Sequence, residues 1–444
     1  GRILEQDLDT HGYGYSVVHL WGSHYEMGYA FGYLFADDIR YGVLEGRELV
    51  DSWGIDWATL LYYVGTYAVL PDSIENEFQG LADGVCDGFP GAAITAADVK
   101  ALNLFGDVSY LCRSVSSWGG TVSGSRFSTI TTRRLDYFDV GLEAQYHHVI
   151  AIFEPTTGEP AWINFAWPGY VSCITALNEY GTVASLHDYG GSGESPAGAL
   201  PRVLASRYAL TMPTDSIISG HLDSAFAVLS GYGCATPGFL NYYVPGGHGG
   251  VIKHNRMMGY YEVRRPHSSC YGGEAIYTNN SDISGESVGS PWSSYYAANA
   301  PTGDITMAGQ WDAAGPSFHR VTVGYRGRRD MDIWFDGQLP GGVTPRVEIS
   351  WGDWAGIEIA EPEKPTQFAI TAAPNPFNSS VEIAVTGVAD CPNLEIRDLT
   401  GRVVRELDMT RGSVRWSPEN QPSGIYLIKP VGESDEFLRL FYLK

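Results

Sequence analysis

Covalent chemistry in this chain would centre on Cys112. It stands in Ser109-Tyr110-Leu111-Cys112-Arg113-Ser114-Val115, and Arg133-Arg134-Leu135-Asp136 follows about twenty residues later. A thiol becomes a nucleophile when a base takes its proton or a nearby cation lowers its pKa. Cutting the Leu111–Cys112 bond would free an α-amine of pKa about 8, which can serve as that base. Arg133 and Asp136 are three apart, so a turn at a strand end could aim both at one site. Outside such a setting, Cys112 is a small buried hydrophobe. The Arg133–Asp136 pair would then be a surface ion pair worth about 0–1 kcal/mol.

The other reactive side chains are less specific. The six cysteines form no Cys-x-x-Cys pair, so zinc and dithiol spacings are absent. Cys234 and Cys270 sit in Gly-rich polar stretches, where an oxidising compartment would allow a disulfide. Cys173 follows an apolar run and reads as a buried strand residue. His147 and His148 are adjacent; on a strand they face opposite ways and cannot share a metal. Pro245-Gly246-Gly247-His248-Gly249-Gly250 reads as a flexible loop near the pocket, since no helix start follows to complete a phosphate site. Neither a metal nor a cofactor is expected.

The surrounding patterns indicate which elements must position these groups. Tyr15–Trp21 alternates as a strand. Ser23, with Glu26 three residues on, makes a capping box that opens a helix. Segments 40–80 and 97–111 read as helical. From Cys112 the apolar period falls from helical to alternating. Arg126–Thr132, His147–Phe153, Ala161–Phe165, Tyr170–Ala176 and Thr182–His187 then read as strands. Helix returns over 201–231, strands and Gly-rich loops over 238–285, and a hairpin joins Val321–Gly324 to Met331–Phe335. This succession predicts a layered α+β fold. Glu361-Pro362-Glu363-Lys364-Pro365 reads as a linker, and the short strands beyond it as a small β-sandwich.

At 444 residues the chain is long enough for two or three domains. Only 18% of residues are charged, whereas Gly (54) and Tyr (28) abound, which suits β-rich, loop-rich structure. The net charge of −23 would repel nucleic acid and anionic membranes. No apolar run reaches the ~18 residues of a membrane span. A start at Gly1, without methionine, is what a trimmed exported protein is expected to show.

The C-terminal region resembles a known module. Ala373-Pro374-Asn375-Pro376-Phe377-Asn378, Asp398-Leu399-Thr400-Gly401-Arg402-Val403-Val404, Trp416 and Ser423-Gly424-Ile425-Tyr426 match, in order, the landmarks of C-terminal secretion-sorting domains. These are the immunoglobulin-like domains of the type IX secretion system and its relatives. The resemblance covers about 366–444 and implies a secreted or cell-surface bacterial protein.

The rest of the chain, over about 14–350, is similar to the autoproteolytic family typified by acyl-coenzyme A:6-aminopenicillanate acyltransferase. That family belongs to the N-terminal-nucleophile hydrolases, alongside choloylglycine hydrolases. The landmarks begin with Leu20-Trp21-Gly22-Ser23-His24-Tyr25-Glu26-Met27-Gly28 and Phe31-Gly32. Cys112 with Trp118-Gly119 follows, then Arg133 to Asp136 and Trp167-Pro168-Gly169. Leu177-Asn178-Glu179-Tyr180-Gly181, Ser185-Leu186-His187-Asp188 and Tyr277-Thr278-Asn279 complete the set. The resemblance implies a four-layer αββα sandwich that cuts itself before Cys112. Cys112 would be the nucleophile and Leu111–Cys112 the processing site. Arg133 would lower the thiol pKa, Asp136 would hold the new α-ammonium, and Asn279 would donate to the oxyanion. His187 would line the pocket, with Trp167, Tyr170 and Tyr189 as an apolar acyl site. The implied division is 1–111, a pro-segment packed on the main domain; 112–358, the αββα domain; 359–366, a linker; and 367–444, the β-sandwich.

Three positions depart from the family pattern. Arg113 follows the nucleophile where Ser or Thr is usual, and Arg134 stands where Asn is common. Tyrosines occupy Pro291–Tyr296, where some members carry a second supporting arginine. The leading expectation is a secreted amidohydrolase or acyltransferase that cleaves a non-peptide C–N amide of a small molecule through an acyl-cysteine. The alternative is a self-assembling filament or surface-layer subunit reusing this fold, with exposed β-edges and aromatic surfaces as contacts. A third reading is a carbohydrate- or peptide-binding surface protein, suggested by the Tyr and Trp content alone.

Overall fold

The computed structural model describes residues 1–68, 70–104, 111–137, 142–188, 199–212, 220–234, 237–281 and 285–351. Further on it describes 369–373, 375, 377–386, 393–398, 402–409, 413–418, 421–430 and 438–442. The linker 359–366, Tyr189, Cys391 and residues 105–110 lie outside the described residues. The chain divides into two units, Gly1–Ala355 and Gly356–Lys444.

The strands of the first unit are β1 (Arg2–Leu8), β2 (Gly14–Gly22), β3 (Leu111–Trp118), β4 (Thr129–Tyr137), β5 (His147–Pro155), β6 (Trp162–Ala166), β7 (Thr175–Asn178) and β8 (Val183–Asp188). They continue with β9 (Gly238–Tyr243), β10 (Gly250–Asn255), β11 (Gly259–Arg264), β12 (Ala275–Asn279), β13 (His319–Gly327), β14 (Asp330–Leu339), β15 (Gly342–Val343) and β16 (Val347–Ser350). Its helices are α1 (His24–Leu34), α2 (Ala36–Ser52), α3 (Trp57–Tyr67), α4 (Asp72–Gly88), α5 (Ala96–Leu104), α6 (Arg202–Thr211), α7 (His221–Leu229), α8 (Ser293–Asn299) and α9 (Met307–Ala314). One sheet has nine strands in the order β1-β2-β5-β6-β7-β8-β9-β10-β11. The other runs β12-β3-β4-β13-β14-β15, with β16 also on β14. Neighbours in these sheets are antiparallel except β2 and β5.

Strand alternation sorts side chains between cores. On β2, Val18 and Leu20 join Met27, Phe31, Phe78, Leu81 and Leu204 against the helices. Val17 instead joins Ile150, Ile163, Val321, Ile333 and Phe335, where residues of the two sheets meet. On the seven-stranded sheet, Val115, Ile130 and Tyr277 pack on Trp292, Tyr296 and Met307 of the α8–α9 region. The Ser23–Glu26 capping box is present on α1. Helices α1 and α4 touch through their backbones. A Cβ at Gly32 would lie 2.1 Å from Leu81 O, and one at Gly84 2.1 Å from Tyr29 O.

Several local expectations change. Of the helix expected over 97–111, the described residues show α5 over Ala96–Leu104, and Leu111 already belongs to β3. Residues 170–174 are not a strand. Asn103 Oδ1 accepts from Val171 N (2.7 Å) and Ser172 N (3.0 Å), and Asn164 Nδ2 donates to Tyr170 O and Ser172 O (both 2.8 Å). Side-chain amides thus replace a ladder partner for this buried irregular segment. Cys173 is buried there, against Ser206 Oγ, rather than on a strand. Cys234 and Cys270 are both free thiols. Cys234 faces His254 Nδ1 at 3.2 Å, whereas Cys270 packs with Tyr277 and Trp292 in a different layer.

The second unit holds β17 (Ala369–Ala373), β18 (Val381–Thr386), β19 (Leu394–Asp398), β20 (Val403–Leu407), β21 (Ser413–Trp416), β22 (Gly424–Pro430) and β23 (Leu438–Tyr442). They form a three-stranded sheet, β17-β18-β21, and a four-stranded sheet, β20-β19-β22-β23. Phe377, Ile383, Ile396, Trp416, Tyr426 and Leu440 fill its core.

Candidate active site

Cys112 is the second residue of β3, which lies between β12 and β4, and stands opposite Leu135 of β4, with a register irregularity between Leu111 and Cys112. Alternation from that point sends Cys112, Ser114 and Ser116 toward the nine-stranded sheet. Val115 and Ser117 go to the α8–α9 side, where Ser117 Oγ meets Tyr296 OH. The same rule on β4 turns Arg133 inward. Its Nη2 lies 2.8 Å from Cys112 Sγ and donates to Leu186 O at 2.9 Å, and its Nη1 donates to Arg134 O at 2.6 Å. Cys112 is 2% and Arg133 1% exposed, so the contact is screened from water. Burial pushes the Cys112 thiol up to about 11, against the pull of the Arg133 guanidinium. In the uncut chain the sulfur therefore carries its proton at neutral pH.

A polar seam runs from this pair between the sheets. Ser114 Oγ meets His187 Nε2 at 2.8 Å and Ser185 Oγ at 3.3 Å. Asn241 Nδ2 donates to Ser185 Oγ at 3.2 Å, and Tyr243 OH pairs with Thr278 Oγ1. Burial, and then the Arg133 charge, hold His187 well below the usual imidazole range. His187 is thus a neutral ring within the seam.

Two expected residues lie elsewhere. Asp136 is on β4 with odd spacing from Arg133, so alternation turns it to the opposite face. There Arg134 Nε and Arg113 Nη1 (3.0 Å) hold its carboxylate, and Ser317 Oγ donates to it at 3.3 Å. Two arginines that depart from the family pattern thus occupy the carboxylate expected to receive the α-ammonium. On β12 the side chain of Asn279 shares a face with Tyr277, whose hydroxyl accepts from Asn279 Nδ2 at 3.3 Å. Its Oδ1 closes a turn by accepting from Ser281 N at 2.8 Å. Asn280 comes to Cys112 instead: its Oδ1 accepts from Cys112 N at 2.5 Å. The sequence signal for Asn280 was strand parity, counted from the apolar Tyr277.

Trp167 and Tyr170 are buried in the same apolar cluster as Cys112, ring centroids 5.4 Å apart, and Trp167 Nε1 donates to Gln145 O. Asp188 pairs with Arg202 at 2.9 Å. His147 meets Asp38 of α2, and His148 meets Gln338 O of β14, so the two rings do face opposite ways. The loop after Val244 is not near the thiol. Gly246 N donates to Thr129 Oγ1, at the far end of β4.

Residues 371–439 match the family model of the Secretion system C-terminal sorting domain. The chain is a secreted or cell-surface protein. The match lies within the second unit and corresponds to the type IX sorting domain. No curated protein matches the chain. No helix among the described residues is long and apolar enough to cross a membrane.

Proposed function

We propose that the first unit is an N-terminal-nucleophile amidohydrolase or acyltransferase with a four-layer αββα sandwich, activated by cleavage before Cys112. The observation that carries this reading is the 2.8 Å contact of a buried guanidinium with the thiol at the first inward position of β3. In the first step Sγ adds to the Leu111 carbonyl carbon and the Leu111–Cys112 C–N bond breaks. The thiol proton passes to the departing nitrogen, and water then hydrolyses the thioester. The freed α-amine becomes the base for the next cycle. Arg133 stabilises the thiolate, and Asn280 Oδ1 orients the nitrogen of Cys112. A small-molecule amide follows the same course: an acyl–S bond forms, an amine leaves, and water or a second amine takes the acyl group.

Intact mass after incubation at neutral pH tests the proposal. Wild type should give fragments 1–111 and 112–444, and Cys112→Ala should stay whole. A wild-type chain that stays whole overturns self-activation.

A second reading, a self-assembling surface subunit, is favoured by a separate observation. Tyr25, Tyr33, Tyr41, Leu44, Trp53, Ile55, Tyr62 and Tyr63 are all exposed within α1 to α3 and the turn between α2 and α3. Sedimentation separates the two readings: a monomer at high micromolar concentration removes the subunit reading.

A further inference from the structure

At the other end of the first unit, three turns close around a cavity of about 220 Å³. They are the turns β5–β6, β7–β8 and β13–β14, which contribute Glu154, Glu159, Glu179, Tyr180, Arg328 and Arg329. Along β13 the end that meets this cavity, Gly327, is eight residues from His319, which stands level with Leu135 and so with Cys112. At about 3.3 Å per residue, that is roughly 26 Å from the thiol. The cavity belongs to no step proposed for Cys112.

Its charges are held in place but not used up. Glu179 is buried and takes Arg328 Nη2 at 2.7 Å and Arg329 Nε at 2.5 Å. Arg329 Nη1 reaches Glu154 Oε1 at 3.1 Å, and His19 holds the other oxygen of Glu154 at 2.9 Å. Arg329 adopts φ 52°, a left-handed conformation unusual for a long side chain. Its N–H is tied to Glu179 O at 2.8 Å. Local strain of this kind is retained where the surroundings over-determine it, often at ligand clamps. The Arg328 guanidinium lies over the Tyr180 ring at 4.8 Å, is 59% exposed and spends one N–H on Glu179. Opposite in sign, Glu159 gives Oε2 to His24 Nε2 (2.6 Å) and Thr157 Oγ1 (2.8 Å), leaving Oε1 without a partner among the described residues.

The cavity therefore offers a forked set of guanidinium donors and a carboxylate acceptor of fixed position, in a volume of about seven waters. A ligand must be small and must carry both charges. We propose that this cavity binds a free α-amino acid or a zwitterion of that size, its carboxylate on Arg328 and Arg329 and its ammonium on Glu159 Oε1. Pro155, Pro160 and Ala161 supply the apolar wall for a short side chain.

Calorimetric titration of the full chain with each of the twenty amino acids, and with acetate and methylamine, tests this. At least one amino acid should bind saturably, and acetate and methylamine about tenfold more weakly or worse. Arg328→Gln removes one exposed contact and should weaken the amino acid about tenfold with the fold unchanged. Glu159→Gln should do the same, and if it unfolds the chain, Arg328→Gln carries the test. The proposal is overturned if no amino acid binds at millimolar concentration, if acetate binds as well as the amino acid, or if Arg328→Gln leaves the affinity unchanged. The readout does not involve Cys112, so it stands or falls independently of the proposed amidohydrolase.

Discussion

Two buried arginines show how differently one fold can treat the same cation. Arg207, on α6, meets Glu77 of α4 at 2.5 Å and lies over the Trp162 ring at 4.9 Å. Glu77 in turn holds His24 at 2.8 Å, and His24 reaches Glu159 at 2.6 Å. Arg133 is equally buried, yet among the described residues it pairs with no carboxylate; a thiol and two carbonyls are its partners. A cluster of paired opposite charges serves stability and position. A buried cation left facing a titratable sulfur has its counter-charge available only when that sulfur ionises.

The largest effect should come from breaking the paired cluster. Arg207→Met leaves the buried Glu77 carboxylate with His24 alone and should cost about 3 kcal/mol in urea denaturation; a cost under 1 kcal/mol would erase the contrast. The cluster should also show in the pH dependence of stability. Burial alone would lower the His24 pKa, but hydrogen bonds to Glu159 and Glu77 more than offset it and raise it to about 9. A group whose folded pKa exceeds its unfolded value of about 6.5 stabilises fully below that value. Stability should therefore fall by up to about 3 kcal/mol as pH rises from 6.5 through 9. His24→Gln should flatten that slope.

Arg133→Met leaves no carboxylate behind, so its stability cost should be at most about 1–2 kcal/mol. Its signature is chemical. Without the guanidinium, the Cys112 thiol should titrate above its value of about 11, slowing alkylation at Cys112 as read by peptide mass. A profile identical to wild type would show that Arg133 does not act on the sulfur. Asn280→Ala should cost about 1 kcal/mol or less in stability. Its expected effect is to slow the proposed cleavage before Cys112, whereas Asn279→Ala should disturb only the turn it closes. The reverse ranking, read by intact mass over time, would return the role to Asn279.

Much of this chain was legible in one dimension. The capping box at Ser23, the alternation of β5, β8, β13 and β14, and the strands after residue 380 follow from local periods and caps, which depend on residues close in sequence. The sorting domain was legible because its landmarks are local and ordered. The Cys112–Arg133 pairing was anticipated only as what the resemblance of two short motifs implies. What local pattern could not supply was parity and partnership. Whether Asn279 or Asn280 reaches Cys112 depends on which residue of β12 faces inward, and a shift of one residue reverses the face. Asp136 looked available because its neighbours in sequence do not say that Arg113, from the adjacent strand, would lie against it. Cys234 and Cys270 looked alike in composition, and only layering put them apart. The amino acids by themselves determined the elements, the export tag and the candidate nucleophile, because those depend on short-range order. The tertiary structure alone decided which charges are buried together and which cation, among the described residues, was left without a carboxylate, because such pairings join residues far apart in the chain.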